Sequence, residues 1–129
     1  MSYELYTDGS CNPNPGRGGW AYAIQVGGIM YEESGTVEGE TTNNRAEFIA
    51  LIEGLKATPR GAEVKVVTDS QQVILAVVGM KHPKKNKDLL AVIYELVSDR
   101  DVTTQRVKGH SGVEMNEHVD MMAQSKAGT

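Results

Sequence analysis

The sequence predicts an α/β fold built on a five-stranded mixed sheet with helices on both faces. Three observations predict it. Runs of strand type crowd the early part of the chain. The apolar period then lengthens from 2 to about 3.6 residues. Two further β-branched runs follow, separated from each other by helical patterns. The resulting order is β-β-β-α-β-α-α-β-α. The first three strands are expected to pair antiparallel, and strands joined through helices to lie in the same sheet through crossovers.

The first strand is expected at Tyr3 to Thr7, where alternation is weak, and Asp8 to Gly19, rich in Gly, Pro and Asn, reads as a loop. Trp20 to Val26 and Ile29 to Thr36 flank Gly27-Gly28, a two-residue hairpin signal. Phe48, Leu51, Ile52 and Leu55 fall at i, i+3, i+4 and i+7, one face of a helix. Thr42 or Asn43 is its expected N-cap, and Pro59 with Gly61 marks its exit. Glu63 to Thr68 is a short β-branched strand. Gln71 to Val78 is an apolar helix, and Leu89, Leu90, Ile93, Leu96 and Val97 trace another helix face. Val102 to Val107 reads as the final strand, and Met115, Val119, Met122 and Ala123 as the last helix.

The chain has 129 residues, enough for one domain spanning 1–129. A domain of this length buries roughly two-thirds of its unfolded surface, so one core suffices without cross-links. No apolar run approaches the roughly 18 residues of a membrane span. Met1 to Leu5 shows neither a basic n-region nor an apolar h-region, so no secretory leader is expected. A single cysteine, Cys11, excludes an intramolecular disulfide. A cytoplasmic setting is the expectation. The formal net charge of −4 argues against binding nucleic acid through bulk charge, because Lys and Arg contacts to phosphate dominate such affinity.

Four carboxylates stand at the ends or borders of these elements. Asp8 follows the first strand and Asp69 the fourth, where ligands of open α/β sheets gather. Glu47 precedes Phe48 on a helix stripe, and Asp120 stands beside Val119. Each has a bland alternative when taken singly: Asp8 and Asp69 as turn residues, Glu47 as a first-turn acid facing the helix dipole, Asp120 as a solvated helix acid. If all four converge, protonation or cations must relieve their repulsion. Hard oxygen donors with room for water and phosphate suit Mg²⁺ or Mn²⁺. One cysteine and no tight histidine spacing make zinc a poor fit. His82 and His118 read as surface residues.

The motifs around these acids resemble those of type 1 ribonuclease H. Tyr6-Thr7-Asp8-Gly9-Ser10-Cys11, with Asn14-Pro15-Gly16 and Gly18-Gly19, is similar to the family's opening motif. Thr41-Thr42-Asn43-Asn44-Arg45-Ala46-Glu47 resembles the second and Thr68-Asp69-Ser70-Gln71 the third. Lys108-Gly109-His110-Ser111-Gly112, with Asn116-Glu117 and Asp120, resembles the last. All four occur in family order from Tyr3 to Ala123.

The resemblance implies a ribonuclease H-like fold and two Mg²⁺ ions, Mn²⁺ substituting, held by Asp8, Glu47, Asp69 and Asp120. It implies that His110, on a loop between Gly109 and Gly112, assists the reaction or product release. The implied activity is endonucleolytic cleavage of the RNA strand of RNA–DNA hybrids by a two-metal mechanism, leaving 5′-phosphate and 3′-hydroxyl ends. Gly9, Cys11, Asn14, Asn44 and Gln71 become candidates for substrate contacts that sense the 2′-hydroxyl. Thr42 and Asn43 resemble a pocket for a DNA-strand phosphate, a role compatible with capping the helix. The partner implied is the hybrid duplex, for a monomer without membrane attachment.

Two features depart from the family pattern. Many cellular members carry a basic, tryptophan-bearing helical protrusion after the third acid. Here that segment is short, Lys81-His82-Pro83-Lys84-Lys85-Asn86-Lys87, and reads equally as a reduced gripping patch or a solvated connector. Glu40 stands where a basic residue often flanks the phosphate pocket. Competing readings are another nuclease of the wider superfamily, such as an integrase or junction resolvase, and a non-catalytic binding module. The Thr-Asn-Asn-Arg-x-Glu and Gly-His-x-Gly segments point away from the first, and retention of all four acids from the second.

Overall fold

The structure, a computed structural model, describes residues 2–80, 83–107 and 114–127. Its elements run β1 (Ser2–Cys11), β2 (Gly16–Val26), β3 (Ile29–Thr41), α1 (Asn43–Lys56), β4 (Glu63–Thr68), α2 (Gln71–Val78), α3 (Lys87–Ser98), β5 (Asp101–Arg106) and α4 (Glu114–Ala127). This is the order expected from the sequence. The sheet order is β3-β2-β1-β4-β5, with β1 antiparallel to β2 and parallel to β4. The β2–β3 hairpin turns at Gly27 and Gly28, both with positive φ, as a two-residue primed turn requires. Among the described residues, no helix is long and apolar enough to cross a membrane.

Alternation along the strands divides two cores. Leu5, Tyr22, Ile24, Val64 and Val66 face Phe48, Leu51, Ile52 and Leu55 of α1, together with Val73 and Val77 of α2 and Ile93 of α3. On the opposite face Tyr6, Ala21, Ala23 and Val67 pack against Val119 and Ala123 of α4. The expected helix stripe of α1 is thus the buried one. The expectation of a loop from Asp8 to Gly19 was wrong over most of its length. Strand pairing continues through Asp8↔Ala21 to Cys11↔Gly18, and only 12–15 connect the strands. Backbone hydrogen bonds carry a ladder without apolar side chains, so the glycine-rich, polar composition concealed it.

Two of those glycines set how close the helices come. A Cβ on Gly19 would lie 2.3 Å from the Ala123 carbonyl oxygen and 2.5 Å from the Ala127 nitrogen, so α4 rests on the bare backbone of β2. His118 of α4 reaches across to Glu32 of β3, with Nε2 2.6 Å from Oε2. At the far end of the sheet, Arg100 donates to the Thr58 carbonyl and hydroxyl oxygens and to the Leu96 carbonyl. It thereby ties the end of α3 to the exit of α1.

Gly19→Ala should cost about 2–3 kcal/mol in urea unfolding, because rigid backbone stands where the methyl would go. Gly54→Ala should cost less, since its Cβ would meet the flexible Leu5 Cδ1, at 2.6 Å. Equal losses would show that the approach of α4 is not constrained at Gly19.

Candidate active site

β1 outruns its parallel neighbour. The last β1–β4 pair is Tyr6↔Val67, after which β1 continues to Cys11 while β4 ends at Thr68. Asp8 therefore does not follow β1, as the sequence suggested, but lies within it, two residues past the last parallel pair. The chain leaves β4 through Asp69 and Ser70 beside the same stretch. This is the step at the carboxyl end of parallel strands where open sheets collect ligands.

Side chains alternate along β1, so Asp8 points with Tyr6 to the α4 face. There it shares a hydrogen bond with Asp120. Gly9 points the other way, and its missing side chain is filled by α1: a Cβ would lie 2.2 Å from both Ala46 C and Glu47 N. Glu47 is thus delivered to the position beside Asp8. It stands in the second turn of α1, whose first turn has no acid, so the dipole-facing alternative fails. The Ser70 hydroxyl donates to Glu47 Oε2 at 2.9 Å and also accepts from the Val73 N–H as N-cap of α2. Gln124 Nε2 donates to Asp120 Oδ2 at 3.0 Å. Ser70 and Gln124 orient the acids and were not singled out from the sequence. Ser70 carried a readable signal as a small polar residue before an apolar helix, whereas Gln124 carried none beyond its i+4 spacing from Asp120.

Burial and acid–acid repulsion dominate the electrostatics. Asp8 is pushed up to about 9, first by burial, then by its hydrogen bond with Asp120 and the charges of Asp120, Asp69 and Glu47. Glu47 is raised to about 7 by burial, with Asp69 adding and the Ser70 hydroxyl opposing. All four acids therefore act on one another through Asp8, as their positions in the sequence allowed. Among the described residues, no three His, Cys, Asp or Glu side chains already close around one point as a chelate. The donors are all carboxylate oxygens whose repulsion a divalent cation would relieve, with water and phosphate oxygens completing its shell. This donor set fits Mg²⁺ or Mn²⁺.

Of the expected substrate-facing residues, Cys11, Asn14, Thr42, Asn43 and Asn44 lie at the start of α1, Gly9 lies against Ala46 and Glu47, and Gln71 opens α2. Thr42, not Asn43, is the N-cap, its hydroxyl accepting from the Arg45 N–H at 3.3 Å. Asn43 Oδ1 accepts from the Cys11 N–H at 2.8 Å, and the Asn43 N–H donates to Asn14 Oδ1 at 3.2 Å. Cys11 is buried with its thiol donating to the Pro13 and Thr41 carbonyls, which makes it framework of this turn. Asn14, Asn43, Asn44 and Gln71 are exposed. Glu40 is exposed near the end of β3. His110 lies outside the described residues, as do Lys81 and His82 of the connector.

Fold and site together define an α/β protein with an acidic centre at a strand step. The RNase H family model matches residues 1–128, and this chain belongs to that family of endoribonuclease hydrolases. A ribonuclease H of Hydrogenovibrio crunogenus is 44% identical over 133 residues, covering 93% of this chain and 91% of the relative. One from Pseudomonas entomophila is 42% identical over 135 residues, covering 95% and 90%. Among solved structures, RNase H1 of the archaeon Halobacterium salinarum superposes with a TM-score of 0.81 at 26% identity, covering 98% of this chain and 97% of that one. LC11-RNase H1 in complex with an RNA/DNA hybrid superposes with a TM-score of 0.78 at 26% identity, covering 98% and 96%.

A pH dependence follows from the two raised acids. Folded Asp8 and Glu47 keep protons that the unfolded chain releases near pH 4, so their contribution to metal-free stability is greatest in acid. It is lost as pH rises through about 7 for Glu47 and about 9 for Asp8. The melting temperature in EDTA should fall between about pH 5 and about pH 9, beyond the slope of an Asp8→Asn, Glu47→Gln variant. Identical slopes would place the repulsion elsewhere.

Proposed function

We propose that this chain cuts the RNA strand of RNA–DNA hybrids endonucleolytically, with Asp8, Glu47, Asp69 and Asp120 holding two divalent ions, and leaves 5′-phosphate and 3′-hydroxyl ends. The observation that carries this reading is the convergence of four acids at the half-buried Asp8 in the strand step, with Glu47 brought in by the close approach of α1 to Gly9. Such a centre favours cations and the phosphate they accompany. Membership of the RNase H family supplies the chemistry's class. A structural relative of the same fold, captured with an RNA/DNA hybrid, supports the substrate.

Bound at these carboxylates, divalent ions would supply a more acidic water and charge neutralisation at the scissile phosphate. The protein's own part is positioning. Ser70 and Gln124 hold the Glu47 and Asp120 carboxylates in orientation, which limits reorganisation during reaction. The Thr42–Asn43 turn presents the amino end of α1, whose dipole favours an anion, to a phosphate of the DNA strand. Exposed Asn14 and Asn44 at this turn, and exposed Gln71 at the start of α2, offer donors and acceptors for the minor groove and its 2′-hydroxyls. His110 is proposed, from its motif alone, to assist the reaction or product release. The chain is proposed to act as a cytoplasmic monomer, for which its single, unbridged cysteine is suited.

Cleavage should be confined to the RNA of a hybrid when hybrid, RNA duplex, DNA duplex and single-stranded RNA are compared with Mg²⁺, Mn²⁺ or EDTA. Cutting of DNA duplex would move the protein toward the integrase and resolvase branch. Asp69→Asn should abolish cleavage with an unchanged circular dichroism spectrum, and retained activity would remove the two-ion assignment. With a net charge of −4 and Glu40 beside the proposed phosphate turn, the Michaelis constant should be high and salt-sensitive. A value equal to that of protrusion-bearing relatives at the same ionic strength would contradict this.

A further inference from the structure

The first turn of α1 is held from two sides. On one side it is tied to the β1–β2 hairpin through Asn43, Cys11 and Asn14. On the other, Arg45 reaches to the start of α3. Its Nη1 donates to Asn86 Oδ1 and Asp88 Oδ1, both at 3.1 Å, and its Nη2 to Asp88 Oδ2 at 2.9 Å. The fork on Asp88 is bidentate, a geometry that guanidinium forms and ammonium cannot.

Asn86 shows that the start of α3 is built around this contact. Among the described residues it is the only non-glycine with positive φ, at 62°. It occupies the N-cap position, yet its side chain makes no capping hydrogen bond. An asparagine there would ordinarily accept from the helix's own first N–H groups. Here its carbonyl is turned to Arg45. Lys84 and Lys85 immediately precede Asn86, and Lys87 follows it, all three exposed.

We infer that Arg45 is a positioning residue that sets the lysine-bearing connector in register with the phosphate-holding turn of α1. The inference rests on the hybrid-cleaving reading of the site. A chain of net charge −4 does not attract a polyanion by accumulation, so its cations act where they are fixed in place. The Arg45 fork holds the start of α3, from which Lys84, Lys85 and Lys87 project, relative to Thr42 and Asn43, so that one duplex meets both. Asp88 is the counterpart whose carboxyl the guanidinium holds down to about 2, so the pair stays ionised throughout the working pH range.

The test is a double-mutant cycle between the fork and the lysines. Binding of a fluorescent RNA–DNA hybrid is measured in EDTA, and cleavage is measured separately with Mg²⁺. Arg45→Lys keeps the charge and loses the fork. It should weaken binding about fivefold and raise KM by a similar factor, leaving most of kcat. The Lys84→Ala, Lys85→Ala pair should weaken binding of the wild type and flatten its salt dependence by up to about two phosphate contacts. In the Arg45→Lys background the same pair should add little. Asp88→Asn, which opens the fork from the α3 side, should reproduce the effect and carries the cycle if Arg45→Lys is misfolded. Additive losses, unchanged binding, or a loss falling on kcat would overturn the inference, the last by assigning Arg45 to the placement of Glu47. Wild-type protein that binds hybrid without cutting it would sink the cleavage reading alone. An uncoupled cycle in a protein that cuts would sink this inference alone.

Discussion

The backbone of α1 occupies the space that a side chain at position 9 would need, and the geometry of the site depends on that contact. Ala46 and Glu47 lie directly against Gly9, one residue from Asp8. A helix packed on a strand normally stands off by the thickness of its side chains, about 10 Å between layers. Removing one side chain at the strand step lets the helix backbone close in and places the Glu47 carboxyl next to that of Asp8. Gly19 does the same on the other face, where the backbone of α4 meets β2 and Asp120 reaches Asp8 from below. Two close approaches on opposite faces of one sheet thus converge on a single strand residue.

The electrostatic consequence is a cluster of acids whose ionised forms are destabilised. Without a cation, Asp8 and Glu47 hold protons well above the usual carboxylate range because burial and neighbouring acids penalise ionisation. The two apolar cores on either side of the sheet hold the elements that carry this cluster in place. Ser70 holds one oxygen of the Glu47 carboxylate and Gln124 one of Asp120, which restricts their rotation. Near this acidic centre, the Arg45 guanidinium is held by Asn86 and Asp88.

Much of the architecture was legible in the sequence because the relevant signals are local. The Phe48, Leu51, Ile52, Leu55 stripe, the Gly27-Gly28 turn and the β-branched run before Asp69 each follow from spacing that one element enforces on its own residues. The four acids were legible as candidates through their places relative to those elements, and the surrounding motifs carried the family resemblance. The extent of β1 and β2 was not. From Asp8 to Cys11 and Gly16 to Gly19 the strands contain glycines and polar residues whose purpose lies in the helices above and below, so composition read as loop. Arg45 with Asp88 was equally hidden, because the partners are 43 residues apart in sequence and nothing local to either implies the other.

The sequence by itself determined the order and kind of the elements, the identity of the acids and the family's motifs, since periodicity, turn chemistry and residue type act over a few neighbouring positions. Only the tertiary structure decided that Asp8 lies inside a strand that outruns its neighbour, that Gly9 and Gly19 admit two helix backbones, and that Ser70 orients Glu47. Those facts depend on register between strands and on distances between layers. Both are fixed by packing among residues far apart in the chain, where a difference of one methyl group separates an approach that is allowed from one that is not.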